Sequence, residues 1–368
     1  MIQSERRLSL DWLLLLLTSL LVGLGILMIR SATASTSLTF WDQPALRQTI
    51  FLAVGLIVLL AAALINYRFW AVWRWALYGG MLATLLAVLL AGHILFGASS
   101  WFNLGVATLQ PSELSKIVVI IVLARYFADH EAQVRQGTGL LISLLLVLPF
   151  LVLVYAQPDM GTAVVLLAIW LGMLFVAGIR PQHILLLLLS AIVLAPLVWA
   201  IMQPHMRERV LMFLHPNTDT LGKDYNVIQA LISVGSGGLW GKGLGQGTQS
   251  QLFFLRVRHT DFIFAVLAEE LGFVGSMLLF SLFAGLLLRI IRVGAKAGDA
   301  YGRLIASGVA TMIFVQIAIN IGFHLGLLPV TGLPLPLISY GGSSLVTTLI
   351  GLGLVESVAL YHQPLETA

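Results

Sequence analysis

Ten apolar stretches of about 20 residues each run along this chain, and they leave it no soluble fold. They lie near 11–30, 48–66, 75–96, 112–128, 138–156, 161–179, 183–202, 262–290, 304–327 and 342–361. In lipid each backbone N–H and C=O must find an internal partner, so segments of this kind are helices. The expectation is an all-α polytopic membrane protein, a single domain over 1–368, with about ten transmembrane helices. Arg6 and Arg7 ahead of the first run, and Ala32-Thr33-Ala34 after it, imitate a secretion signal. The length of that run and the apolar segments beyond it instead point to a retained first helix.

Placement of charge orients the bundle. If the N-terminus is cytoplasmic, the inner segments carry Arg6, Arg7, Arg68, Arg74, Arg125, Arg135, Arg180, Arg289, Arg292, Lys296 and Arg303, eleven of the 20 basic residues. The short outer loops near 31–46, 93–111, 157–160 and 328–341 hold none, with Arg30 and Arg47 only flanking the first. That bias puts both termini in the cytoplasm. One connection, 203–261 between the seventh and eighth spans, is a long extracytoplasmic loop with Arg207, Arg209, Lys223, Lys242, Arg256 and Arg258. Long loops translocate despite their charge. The chain has no cysteine, which removes disulfides and thiolate metal sites. No basic-aromatic tract points to nucleic acid.

Polar residues gather in five outer patches. The first two are Gly97-Ala98-Ser99-Ser100-Trp101-Phe102-Asn103 and Gln110-Pro111-Ser112-Glu113-Leu114-Ser115-Lys116. Ser112 is placed to cap the fourth helix. Glu113 and Lys116 share a helix face and either neutralise each other or line a polar cavity. In Gln157-Pro158-Asp159-Met160-Gly161-Thr162, Asp159 suits a helix N-terminus. The fourth patch, Arg258-His259-Thr260-Asp261, leads into an apolar helix that carries Glu269 and Glu270, and carboxylates in such a setting are costly. These glutamates differ by about 100° around the helix, so one is expected to support the site and the other to be structural. The fifth patch, Leu333 to Ser344 with Ser343 at its end, punctuates an uncharged loop with prolines and glycines.

Two further features remain open. The glycine-dense run from Gly235 to Gly247 fails the P-loop pattern. It is either a turn-rich loop or a backbone that approaches a phosphate or sugar. The eight histidines show no metal-binding spacing; a divalent cation, Mg2+ or Mn2+, held by Asp261 and substrate phosphates is a further expectation. An interfacial aspartate under a basic loop suits polyprenyl-pyrophosphate-linked sugars. Their leaving group is already good, so the reaction needs a base for the attacking hydroxyl and cations for the departing charge.

Four of these motifs, in order, resemble the SEDS family (shape, elongation, division, sporulation), and more closely its elongation-type members: Gln110-Pro111-Ser112-Glu113, Gln157 to Thr162, Arg258 to Ala265 with Ala268 to Gly272, and Ile338 to Ser344. The resemblance covers essentially the whole chain. It implies a peptidoglycan glycosyltransferase that polymerises lipid II into β-1,4-linked glycan during elongation, with inversion. The implied partners are a class B penicillin-binding protein, the elongation machinery and membrane lipids. Asp261 would be the essential catalytic carboxylate, with Trp101, Glu113 and Lys116 in the same cavity. Asp159, Arg207, Arg258, His259, Glu269 and Ser343 complete the expected site. A lipid II flippase and a non-catalytic scaffold are the alternatives.

Overall fold

The computed structural model describes residues 10–34, 41, 43–91, 93–95, 98–103, 108–214, 225–252, 254–255 and 258–361, with side chains apart from 91–108 and 205. Among these residues the order is α1 (Trp12–Ala32), α2 (Pro44–Leu64), α3 (Tyr67–Ala91), β1 (His93–Leu95), β2 (Ala98–Asn103), β3 (Thr108–Leu109) and α4 (Pro111–Asp129). Then come α5 (Glu131–Gln136), α6 (Thr138–Ala156), α7 (Met160–Val176), α8 (Pro181–Ile201), α9 (Pro204–Leu214), α10 (Tyr225–Ser236) and α11 (Thr248–Gln251). The chain closes with α12 (Ile263–Ala295), α13 (Ala300–His324) and α14 (Gly342–Leu360).

Each of the ten expected spans coincides with one long helix. Eight are long and apolar enough to cross a membrane, and α7 is a shorter apolar helix. The remaining span, α4, carries four charged groups yet is buried along most of its length. It packs against α3, α6, α7, α13 and α14, so protein rather than lipid surrounds it. At the other extreme, α8 has no buried residue at all.

Two expectations need correction. The third span starts at Tyr67 and ends at Ala91, earlier than 75–96, because its N-terminal cation is satisfied within protein. Arg68 reaches Asp299 at 2.9 Å, and Tyr67 donates to the same carboxylate. A small antiparallel sheet, in the order β1-β2-β3, then takes up residues just past the helix. Nor is 203–261 simply a loop: α9, α10 and α11 lie within it.

The reason is a break in α12. Gly272 adopts φ 66° and ψ −161°, which interrupts the helical ladder. Two carbonyls before the break and two amides after it therefore need other partners, since a buried backbone group left unpaired costs about as much as a lost hydrogen bond. The glycine-rich segment supplies them. Lys242 and Gly243 donate to the carbonyls of Glu269 and Glu270 (3.0 Å each), while Phe273 and Val274 donate to those of Gly238 and Leu239 (2.9 and 3.1 Å). The segment is turn-rich, as one of the two readings expects, and this exchange of main-chain bonds accounts for Gly237 and Gly241 within it, where a Cβ would meet the carbonyl oxygens of Ala268 and Glu270. A Cβ at Gly241, where φ is +79°, would stand 2.2 Å from the Glu270 carbonyl oxygen.

Gly241→Ala should therefore cost about 3 kcal/mol, combining left-handed strain and overpacking. Gly235→Ala, where a Cβ meets nothing within 4 Å, should change little. Thermal unfolding of the two variants in detergent checks this; equal midpoints would show that the broken helix does not depend on this docking.

Candidate active site

Residues 258–262 form a turn that delivers the chain into α12. Four contacts fix it. Arg258 is buried and donates through Nε to the carbonyl of Ala32, at the C-terminal end of α1, where a cation also complements the helix dipole. The His259 carbonyl accepts from the Tyr340 amide at 2.9 Å, with the two rings 5.5 Å apart. The Thr260 carbonyl accepts from Ser339 Oγ at 2.7 Å. Asn320 Nδ2 on α13 bridges the carbonyls of Asp261 and Leu333, at 3.2 and 2.8 Å. Three of these ties hold carbonyls of the turn and the first holds the Arg258 side chain, and all leave the Asp261 side chain uncommitted.

The Asp261 carboxylate takes no hydrogen bond or ion pair among the described residues. Burial pushes its pKa up from 3.8 to about 6, and the charge of Arg209 opposes that rise. Arg209 comes from α9 and donates through Nη1 to the Val330 carbonyl at 3.4 Å. Burial, and then the charge of Arg258, push His259 below its ordinary value. It is therefore neutral at pH 7, and the guanidinium of Arg209 is the cation facing Asp261.

The loop from Val330 to Gly341 is the hub of this end of the bundle. Beyond the contacts above, it seats Leu333 against Gly161 at the start of α7 and Leu337 against Gly25 of α1. Leu337 holds φ +65°, an uncommon conformation for a branched residue, fixed here because its backbone is wedged against α1. Gln48 on α2 clamps the loop's end, donating to Ser339 and accepting from the Gly341 amide (3.1 and 3.2 Å).

A second network adjoins it. Asp159 caps α7 by accepting from the Thr162 amide at 3.0 Å. Its other oxygen accepts from Gln110 Nε2 at 2.9 Å and Ser112 Oγ at 2.8 Å. Ser343 Oγ accepts from the Gln110 amide at 3.0 Å. Ser112 thus does not cap α4, whose cap position is Gln110 with Pro111 following it; its hydroxyl is recruited by Asp159 instead. One turn into α4, Glu113 and Lys116 pair at 2.8 Å with side chains 4% and 1% exposed.

The two glutamates of α12 both face protein. Glu269 Oε1 gathers Lys242 Nζ (2.8 Å), Thr248 Oγ1 (3.0 Å) and the Gln249 amide (3.1 Å). Glu270 accepts from Ser31 Oγ, which itself accepts from the Gly245 amide. Both carboxylates therefore pin the glycine-rich segment, and the expectation that Glu269 lines the substrate site is replaced by this anchoring. Arg207 is also displaced from the expected site. It donates to the Ala200 carbonyl at 2.6 Å and lies over Trp199 at the end of α8. The residue two positions on, Arg209, is the one that helix α9 turns toward Asp261. Trp101 stands on β2 opposite His93, and its side chain lies outside the described residues, as do Lys223 and Arg256.

Among the described residues no three His, Cys, Asp or Glu side chains cluster to hold a metal ion. Beside Asp261 stands a guanidinium rather than a second carboxylate, and that donor set does not fit a resident divalent cation.

The Glu113–Lys116 pair is testable alone. Breaking a buried pair leaves an uncompensated charge, so each single alanine variant should lose about 3–5 kcal/mol. The double variant should lose less than the two losses added together. Strict additivity in thermal unfolding would show two independent side chains.

Comparison with known proteins places this geometry. The FtsW/RodA/SpoVE family, described as "Cell cycle protein", matches residues 11–363. The chain is 42% identical over 316 residues to the peptidoglycan glycosyltransferase MrdB of Escherichia coli (strain K12), covering 85% of each. It is 38% identical to stage V sporulation protein E of Bacillus subtilis (strain 168), covering 98% of this chain and 100% of that one. Among solved structures it is similar to a chain of a peptidoglycan synthase complex that coordinates polymerisation and crosslinking (TM-score 0.82, 36% identity, 96% and 99% coverage). It is also similar to the Thermus thermophilus rod shape determining protein RodA (TM-score 0.71, 33% identity, 96% and 97% coverage).

Proposed function

The chain belongs to the FtsW/RodA/SpoVE family and is a peptidoglycan glycosyltransferase of cell wall synthesis, and from that premise we propose that Asp261 is the general base of its transfer step. The observation that carries this reading is an uncommitted, half-buried carboxylate held above its ordinary pKa at the polar end of the bundle. A base with a pKa near 6 stays ionised at pH 7 yet accepts a proton more readily than an ordinary aspartate.

The substrate is lipid II, whose disaccharide is linked through pyrophosphate to a polyprenyl chain. An acceptor sugar hydroxyl attacks the donor's anomeric carbon as Asp261 takes its proton. The bond from that carbon to the pyrophosphate oxygen breaks, and its electron pair leaves with the pyrophosphate. Direct displacement inverts the anomeric centre, giving a β-1,4 bond from an α-linked donor. Any Mg2+ or Mn2+ would have to arrive with the pyrophosphate, and the steps above use only side chains of this chain. The bias of basic residues supports an active site that faces outward from the cytoplasmic membrane.

Asp261→Asn should abolish polymerisation in a glycan gel while leaving membrane insertion and thermal stability intact. In the unsubstituted protein, protonation silences the base, so activity should be high above about pH 6 and fall as the pH drops below it. Near-normal glycan synthesis by a well-folded Asp261→Asn variant would refute the assignment.

The partner reading rests on the similar chain from a complex that joins polymerisation to crosslinking. A class B penicillin-binding protein of the elongation machinery would supply the crosslinking reaction. Lipid gives helices no hydrophobic drive to associate, so such a partner packs closely on lipid-facing helices. With residues 225–251 already docked on α12, activation by the partner would act through α9, which carries Arg209. The complex should polymerise lipid II faster than the isolated protein at saturating substrate; equal rates would leave tethering as the partner's only role.

A further inference from the structure

The proposed transfer needs a cation where charge departs, and the segment 203–261 offers several. The structure separates them. Lys242 is engaged with Glu269, Arg258 with the end of α1, and Arg207 with the end of α8. Arg209 alone of these four is directed toward Asp261.

Its position is set by Gly332. That residue holds φ +75°, and a Cβ built on it would lie 3.8 Å from Asp261 Oδ2 and 3.9 Å from Arg209 Nη1. Carboxylate and guanidinium therefore face each other across the one residue type that places no side chain there. They do not close into an ion pair within 4.0 Å. Arg209 is instead held back by its bond to the Val330 carbonyl, in the same loop as Gly332. A guanidinium so placed keeps most of its five donors for something else.

We propose that Arg209 contacts substrate in the transferase site, receiving the pyrophosphate of the lipid-linked donor while Asp261 receives the proton of the acceptor hydroxyl. This rests on the reading of Asp261 as base and adds the residue that takes the other charge of the same step. As the anomeric C–O bond breaks, negative charge grows on the pyrophosphate, and a planar two-pronged donor matches two of its oxygens. The same cation keeps Asp261 from being neutralised by its own burial. One arginine thus serves both ends of the displacement, binding the leaving group and keeping the base ionised.

The test uses the full-length protein with Arg209→Gln, Arg209→Lys and, as a control, Arg207→Gln. Farnesyl pyrophosphate serves as probe, its binding measured without turnover, with farnesyl monophosphate beside it. Arg209→Gln should bind the pyrophosphate about tenfold or more weakly, raise the KM for lipid II and lower kcat. The acid limb of its pH profile should move to higher pH, because Asp261 loses a neighbouring positive charge. Arg209→Lys should restore the pH limb and part of the binding, and Arg207→Gln should change neither. Unchanged pyrophosphate binding together with an unmoved pH limb in folded Arg209→Gln would overturn the proposal. If Arg209→Gln fails to fold, Arg209→Lys decides: unaltered pyrophosphate binding and kcat would overturn it, since a point charge loses the two-pronged contact. Because binding is read without turnover, activity retained by Asp261→Asn would remove the general base while leaving this measurement intact.

Discussion

The break in α12 at Gly272, and its repair by main-chain bonds from 238–243, is the constraint on which this structure depends. A helix interrupted in a buried, apolar setting is stable only where other parts of the protein satisfy its freed backbone. The repair brings the glycine-rich segment down onto the helix, and Glu269 and Glu270 fasten it on either side. Those two acids, costly in lipid, become the anchors of a segment that would otherwise have little to hold it. The short helical stretch ahead of the break then presents the Asp261 turn, gripped by the end of α1 and by the 330–341 loop.

From there the Asp261 turn follows mainly from contacts to its backbone, and the adjoining network from side chains that meet across helices. The turn 258–261 is fixed through its carbonyls, so Asp261 keeps its carboxylate unpaired and partly desolvated. Asp159 and the Gln110-to-Ser112 segment join α4 to α7, and Ser343 extends that join to α14. The buried Glu113–Lys116 pair sits just below. Glu269, Glu270, Asp159 and Arg258 hold the frame, while the Asp261 carboxylate makes no hydrogen bond or ion pair among the described residues and Arg209 is held beside it by the Val330 carbonyl.

Much of this could be read from the sequence. Apolar length located all ten long helices, and the outer motifs pointed to the Asp261 turn, because both depend on local composition. The misreadings share a physical cause. The start of α3 was hidden because Arg68 looks like a boundary until its partner Asp299, 231 residues away, is known. The glycines from Gly235 to Gly247 suggest a flexible loop or a ligand cradle, and only the distant break at Gly272 reveals that Gly237 and Gly241 among them admit a close backbone. Arg207 and Arg209 are alike in sequence, yet the turn of α9 sends one to α8 and the other to Asp261. That a carboxylate pair on one helix can serve as anchors rather than site lining also depends on partners from α1 and the 242–249 segment.

The most direct measurement is a structure of the Asp261→Asn protein with lipid II bound at both donor and acceptor positions. The acceptor's attacking hydroxyl should lie about 3 Å from the side chain at position 261, with the donor's pyrophosphate on the opposite side of the anomeric carbon. A substrate bound with its reacting hydroxyl remote from that side chain, or with residue 261 screened from both sugars, would contradict the account.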